Sequence, residues 1–494
     1  MGLRHRNGNA DAHDQRAVID IGSNTVRLVI YGGPPRAPVV LHNEKVTARL
    51  GKGVAEDGRL ASKASRVALA GLARFAMLLR LRGVAAVDAV ATAAVRDAEN
   101  GAAFLDEVRA LGLQPRLLTG EEEALTSARG VMAAFPGANG VVGDLGGGSL
   151  ELIEIADGHA SHGTSLPLGS LRLSHMRAAG GAKFTRQVQA VLATGDWAGG
   201  HAQPFYLVGG SWRALARYAM HQSHWPADDP HGYEMDPEVA LSLARSLGAG
   251  KVPGNIPGLS ASRAAGLPDA AALLGVLVRT FRPARLVFSS WGLREGLLYQ
   301  QLGATGRHQD PMVAGISAFV EKFGGCPATA AMVAGWTARA NPESSTREEA
   351  LRLCATLLAL ASQRLEPNLR PDVSMQWALR KRWIGIDAEG RAMLAAAILA
   401  NGGQTVLPEG LSRMATPAML QKAVGWGLAI RLCRRLSGCA AEALTHTALE
   451  STNGVLALSV REPARVLVTE TIEKDLRQLA GWLGLTPELR ALPA

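Results

Sequence analysis

Val18-Ile19-Asp20-Ile21-Gly22-Ser23, running on into Val26-Arg27-Leu28-Val29-Ile30, recurs in kind further along the chain. The second copy is Val142-Gly143-Asp144-Leu145-Gly146-Gly147-Gly148-Ser149, running on into Leu150-Glu151-Leu152-Ile153-Glu154-Ile155. Each copy reads as a buried strand ending at an Asp, a glycine turn with a hydroxyl, and a returning strand. Glycine lets backbone approach a ligand closely and turn its N–H groups toward an anion. The neighbouring Asp suits a hydrated divalent cation. One Asp-x-Gly hairpin is an ordinary turn; two imply a duplicated domain whose halves face each other across a cleft and clamp a phosphate from both sides.

Around the hairpins, apolar runs of strand length alternate with helical spacing, which predicts an α/β fold with crossover helices. Residues 59–82 carry apolar positions at near-helical intervals, residues 84–92 form a strand ending at Thr92, and helices follow at 100–111 and 121–134. The second half repeats the plan, with strands at 158–167, 205–208 and 285–289, and helices from Trp212, over 268–281 and over 293–302. Residues 303–312 are polar and read as a linker. From Val313 onward helical patterns dominate, with a strand pair expected within 454–468.

At 494 residues the chain is too long for one core. The 47% hydrophobic and 19% charged content is that of a soluble globular protein. The net charge of +9 suits polyanionic partners, but the excess is spread along the chain. The cysteines, Cys326, Cys354, Cys433 and Cys439, form no Cys-x-x-Cys pair, so buried thiols in a reducing compartment are expected. With no signal-like apolar segment near the start and no long uncharged apolar run, the expectation is a cytoplasmic protein with no membrane partner and no specific nucleic-acid partner.

The two hairpins resemble the phosphate loops of the actin and sugar-kinase superfamily. Four blocks resemble, more closely, the exopolyphosphatase / guanosine-pentaphosphate phosphohydrolase family: Asp20-Ile-Gly-Ser-Asn24, Ala91-Thr-Ala-Ala-Val-Arg-Asp97, Thr119-Gly-Glu-Glu-Glu-Ala124, and Asp144-Leu-Gly-Gly-Gly-Ser149 with Glu151. Leu207-Val-Gly-Gly-Ser211, Ile256-Pro-Gly-Leu259 and Gly292-Leu-Arg-Glu-Gly296 agree in order. The resemblance spans roughly residues 17–300. It implies two ribonuclease-H-like halves around a cleft, at 16–135 and 136–305, after a disordered tail at 1–15. A C-terminal helical domain at 311–494 would be related to the HD phosphohydrolases but lack their metal motif, since only His446 lies beyond residue 311 and Met375-Gln-Trp and Ile386-Asp387-Ala388 stand where a His-Asp pair is sought.

The same resemblance places a catalytic base on Glu123, gives Glu122 a lesser part as neighbouring acid, and assigns Mg²⁺ contacts to Asp144 and Glu151. Asp20, the equivalent carboxylate of the first half, is a third expected metal contact, its alternative being to fix the Ser23-Asn24 turn by hydrogen bonds. Three glutamates opening a helix are also what the helix dipole alone favours. Arg96, a planar phosphate-binding fork, joins the catalytic set; its bland alternative is a surface pair with Asp97 or Glu99. Donors to phosphate are expected from Ser23, Asn24, Thr92, Gly146, Gly147, Gly148 and Ser149, and from Gly210 and Ser211 after the 205–208 strand. Arg294 is read as a structural ion-pair residue. One departure is visible: the family commonly carries an acid soon after the Arg of the Pro-Gly-Leu block, where this chain has Arg263-Ala264-Ala265.

The expectation is therefore a Mg²⁺-dependent hydrolase of terminal phosphoanhydrides that forms a homodimer. Inorganic polyphosphate is the first substrate and guanosine pentaphosphate the second. Arg380-Lys381-Arg382 and Arg431, Arg434 and Arg435 give the helical domain basic faces for a long polyanion. A kinase would need an acceptor site, of which there is no signature; a non-catalytic sensor would lack the base.

Overall fold

The computed structural model describes residues 15–195, 201–249, 256–340 and 344–492. The tail expected over 1–15 lies, but for Gln15, outside them. The chain divides into two compact units: Met1–Ser223 with Pro230–Gln309, and His224–Asp229 with Asp310–Ala494.

The first unit holds two mixed sheets. In the first, β1 (Arg16–Ile21), β2 (Val26–Gly32) and β3 (Val39–Val46) form an antiparallel meander. Two further strands, β4 (Ala86–Ala91) and β5 (Pro115–Leu117), run parallel to β1, giving the order β3-β2-β1-β4-β5. Parallel neighbours need crossover connections, which the helices supply. The central strands are near-continuously apolar because both faces are covered. Ile19, Ile21, Leu28 and Ile30 pack on Leu72 and Phe75 of α1 (Ser62–Arg82). Val18, Val29 and Val90 face the other way, onto Leu297 and Leu298. The edge strand β3 went unread because its Val-Val-Leu-His-Asn-Glu-Lys-Val run is half-exposed and polar.

The second sheet repeats this plan. Its strands β6 (Gly140–Leu145), β7 (Leu150–Ala156) and β8 (His159–Leu166) are antiparallel, while β9 (Pro204–Val208) and β11 (Arg285–Ser289) continue parallel to β6. The short strand β10 (Glu234–Met235) adds an edge, giving β10-β11-β9-β6-β7-β8. Leaving β10 aside, the two orders are the same, so the duplication read in the hairpins extends to the whole α/β topology. Helices α2 (Gly120–Ala134) and α3 (Leu293–Gln300) pack together without intervening side chains: a Cβ on Gly296 would stand 1.8 Å from the Thr126 carbonyl oxygen, and one on Gly130 2.1 Å from that of Gly292.

The second unit is mainly helical, as expected. Its long helices are α4 (Thr346–Ser362), α5 (Ala388–Asn401), α6 (Pro417–Ser437) and α7 (Glu470–Leu483). Leu358, Ala396 and Ile430 are buried among them. The strand pair expected at 454–468 is displaced. Strands β12 (Thr447–Thr452) and β13 (Val455–Arg461) form the hairpin, β14 (Thr486–Leu492) joins parallel to β13, and Glu462–Leu467 is a 3-10 turn. The displacement follows from the tight Asn453-Gly454 turn, where both residues have positive φ. The basic run at 380–382 is largely neutralised. Arg380 pairs with Asp228 at 3.2 Å and Arg382 grips Asp229 at 2.7 and 2.9 Å. The Lys381 ammonium lies 4.2 Å from the centre of the Trp383 ring. No helix among the described residues is long and apolar enough to cross a membrane.

Candidate active site

The two hairpin turns are built alike. Gly22 N–H bonds the Thr25 carbonyl at 3.1 Å, and Gly146 N–H bonds that of Ser149 at 3.0 Å. Each turn is held from behind by the start of a helix. Arg49 and Gly51, where the helix Leu50–Asp57 begins, donate to the carbonyls of Asn24 and Ser23. Ser170, Leu171 and Gly169, where the helix Ser170–Ala178 begins, donate to those of Gly146, Gly147 and Gly148. In a trans peptide the N–H points opposite to the C=O. Fixing three consecutive carbonyls on that helix therefore turns the N–H groups of Gly147, Gly148 and Ser149 away from it, as a nest for an anion.

The turns meet closely. A Cβ on Gly147 would stand 3.1 Å from Asn24 N, and one on Gly148 2.7 Å from Ser23 Oγ. Between them lies a cleft with about 200 Å³ of free space. It is lined by Asp20, Ser23, Asn24, Thr92, Glu123, Asp144, the Gly146–Ser149 turn, Gly210 and Ser211, all expected from sequence. Gly209 precedes the last pair at φ 118, and a Cβ there would lie 2.5 Å from the Leu145 carbonyl oxygen, so the strand-to-helix turn requires glycine.

Glu123 sits one turn into α2. Its N–H bonds the Thr119 carbonyl, and its side chain turns inward at 8% exposure. Arg96 Nη1 donates to Glu123 Oε2 at 3.2 Å and to the Leu118 carbonyl at 3.3 Å, while its Nε reaches Asp97 at 3.3 Å. Arg96 thus orients Glu123 from behind and does not line the cleft. Glu122 is exposed and engaged elsewhere: its carboxylate accepts from Thr119 N–H at 2.8 Å, and its own N–H donates to the Thr119 hydroxyl at 3.1 Å. This reciprocal pair is a capping box, so the geometry gives Glu122 the task of starting α2.

Asp144 and Glu151 are directly opposed across β6 and β7, so both carboxylates project from one face of the sheet. Ser127 hydrogen-bonds Asp144, and the Ser165 hydroxyl donates to Glu151 at 2.9 Å. Glu151 lies behind the cleft wall, 2% exposed. Burial, then the Asp144 charge, push its carboxyl up to about 7. Burial, then Glu151, raise Glu123 well above the ordinary carboxylate range, against the pull of Arg96. Burial raises Asp144 too, against the Ser127 hydrogen bond and Arg213. Such a site favours a cation that would relieve the repulsion. Among the described residues no three His, Cys, Asp or Glu side chains are grouped to hold a metal alone. The donor set fits magnesium, which takes one or two carboxylates and fills its shell with phosphate oxygens and water.

Asp20 differs. Across β1 and β2 it faces Arg27, and burial raises its carboxyl while Arg294 and Arg27 pull it down. Arg27, Arg213 and Arg263 line the cleft and were not assigned from sequence. Arg27 was findable, since it lies opposite Asp20 in the hairpin register. Arg263 crosses over Gly210, where a Cβ would lie 2.1 Å from its Nη1. Arg294 is half-buried; burial works against its charge, but Glu295, Tyr31 and Asp20 outweigh it and raise its pKa. Arg294 borders the cleft, and no ion pair of its guanidinium is found among the described residues.

The chain matches the Ppx/GppA phosphatase family over residues 29–305. It belongs to that family. Exopolyphosphatase 1 of Mycobacterium tuberculosis is 34% identical over 164 residues, 32% of this chain and 47% of the relative. Guanosine-5'-triphosphate,3'-diphosphate pyrophosphatase of Aeromonas salmonicida is 27% identical over 295 residues, 58% of this chain and 59% of the relative. The chain spans about half the length of the curated relatives it matches first. Among solved structures, an exopolyphosphatase from Cytophaga hutchinsonii superposes with a TM-score of 0.52 at 24% identity, covering 58% of this chain and 97% of that one. The Aquifex aeolicus Ppx/GppA member gives 0.51, also at 24% identity, over 58% and 97%. These two likenesses show the fold of the family's α/β part. The HD ancestry expected for the helical unit finds no support in them.

Proposed function

We propose that this chain is a divalent-metal-dependent exopolyphosphatase, with Mg²⁺ as the metal, releasing the terminal phosphate of inorganic polyphosphate. The observation that carries the reading is the pair of abutting turns with the buried Glu123 and Asp144 at their side. The terminal phosphoryl group sits between the turns and accepts hydrogen bonds from the N–H groups of Gly147, Gly148 and Ser149 and from Ser23 and Asn24. Glu123, oriented by Arg96, draws the proton from the attacking water as general base. Arg27, Arg213 and Arg263 offset charge on the phosphoryl oxygens. A Mg²⁺ held at Asp144, with Glu151 behind it, would supply further charge stabilisation to the phosphoryl oxygens. Asp20 sets the first turn and opposes Arg27.

A hollow of about 720 Å³ adjoins the cleft at Asn24, Ser170, Ser211 and Arg263, and its wall carries Arg49, Lys52 and Arg172. It suits the rest of an anionic chain. Guanosine pentaphosphate is the competing substrate; the apolar side of the same hollow, Pro167, Leu171 and Met176, is the observation in its favour. A homodimer in the cytoplasm belongs to the same proposal and is checked by light scattering and fractionation. The decisive experiment is phosphate release from polyphosphate and guanosine pentaphosphate side by side, with Mg²⁺ or excess EDTA. Glu123→Gln should lose roughly 10²–10⁴ in kcat with KM nearly unchanged. Full turnover in EDTA, or an active Glu123→Gln, overturns the reading.

A further inference from the structure

A second hollow, of about 450 Å³, lies wholly within the helical unit. It opens where α4 and α5 end and is walled on another side by α6. Arg370, Arg431, Arg434 and Arg435 all border it, and among the described residues no Asp or Glu does. Part of this charge has a structural task. Arg370 caps the end of α4, donating to the carbonyls of Gln363 and Leu365 at 2.9 Å. Arg431 reaches Asp475 at 3.3 Å, and Arg435 grips the same carboxylate at 3.0 and 2.9 Å. Two of the four guanidinium groups thus share one carboxylate. Arg434 is the residue this leaves over. Its hydrogen bond to Asn401 Oδ1 is long, 3.5 Å. Burial, then Arg431, disfavour its charge, and Arg435 and Arg370 add to the repulsion.

We infer that this hollow is a binding site for a small organic phosphate carrying two or more negative charges, distinct from the cleft of the α/β unit. A planar guanidinium with like-charged neighbours is the side chain that a phosphoryl group pairs with best. The remaining wall is polar at Ser362, Ser374 and Gln404 and apolar at Pro367 and Leu399. The hollow has the size usual for a small-molecule ligand, within about 300–1,000 Å³. Those features fit a compact ligand with an organic body rather than an open track for a long chain.

The test is calorimetric titration of the full-length protein, without divalent metal, using methylenediphosphonate, a diphosphate analogue that cannot be hydrolysed. Arg434→Met should weaken its binding about tenfold or more, as loss of a charge-assisted hydrogen bond does. Gln404→Glu, an exposed position where folding is not at stake, should do the same by placing a carboxylate at the rim. Arg27→Met, in the other unit, should leave this binding in place. Unchanged binding in both Arg434→Met and Gln404→Glu overturns the inference. So does binding lost only in Arg27→Met, or no binding by the wild-type protein at millimolar concentration.

Discussion

The two hairpins share a strand order, a turn hydrogen bond and a helix bracing the turn, yet they differ in the charge of the residue opposite the Asp. Asp20 faces Arg27, whereas Asp144 faces Glu151. The first pair is internally neutral and leaves a guanidinium for phosphate. The second concentrates negative charge that a cation would relieve. The residue opposite each Asp thus gives the two hairpins of one duplicated scaffold opposite local charge.

The sharpest way to break that contrast is to neutralise each Asp in turn. Asp144→Asn is expected to raise the Mg²⁺ concentration for half-maximal rate by roughly 10–100-fold. Asp20→Asn should leave that concentration nearly unchanged. Equal shifts in a Mg²⁺ titration of the two variants would abolish the distinction. Arg27→Met should raise KM for polyphosphate about tenfold, the loss of one charged hydrogen bond, with a smaller change in kcat. Steady-state kinetics over a series of substrate concentrations separates the two constants.

A brace residue set against a turn residue gives a third comparison. A Cβ on Gly169 would meet the Gly148 carbonyl carbon at 2.1 Å, backbone against backbone, while one on Gly22 meets nothing closer than the Thr25 carbonyl oxygen at 3.3 Å. Gly169→Ala should therefore cost about 1–3 kcal/mol by overpacking, seen in urea denaturation, and lower activity with it. Gly22→Ala should be milder on both measures. The smallest effect is expected at Glu122. Gln serves a capping box as Glu does, so Glu122→Gln should hold kcat within about twofold. A loss comparable with that of Glu123→Gln would return Glu122 to the chemistry.

The parts of the cleft made by chain-local motifs were legible from sequence: both turns and Thr92 at a strand end; Glu123 was reached only through the family resemblance. What was not legible depends on distance in sequence. Arg213 and Arg263 reach the cleft from different helices, and nothing local marks them. Glu122 and Glu123 are adjacent carboxylates that a helix sends in different directions, and only the capping geometry decides which one turns inward. In the helical unit the basic run at 380–382 looked like an open anion face. Its partners Asp228 and Asp229 lie about 150 residues upstream, a pairing only the fold reveals. Edge strands β3 and β14 escaped notice because half-exposed strands need not be apolar.

The glycine contact between α2 and α3 bears on how the two halves of the α/β unit are joined. Thr126 and Gly296, and likewise Gly130 and Gly292, touch through main-chain atoms alone. Side chains can change rotamer and let layers slide, but opposed backbones cannot. Helix α2 comes from the first half of the duplication and α3 from the second, so this contact ties the halves together backbone to backbone. A side chain added at Gly130 or Gly296 would therefore have to push the two halves apart along their backbones.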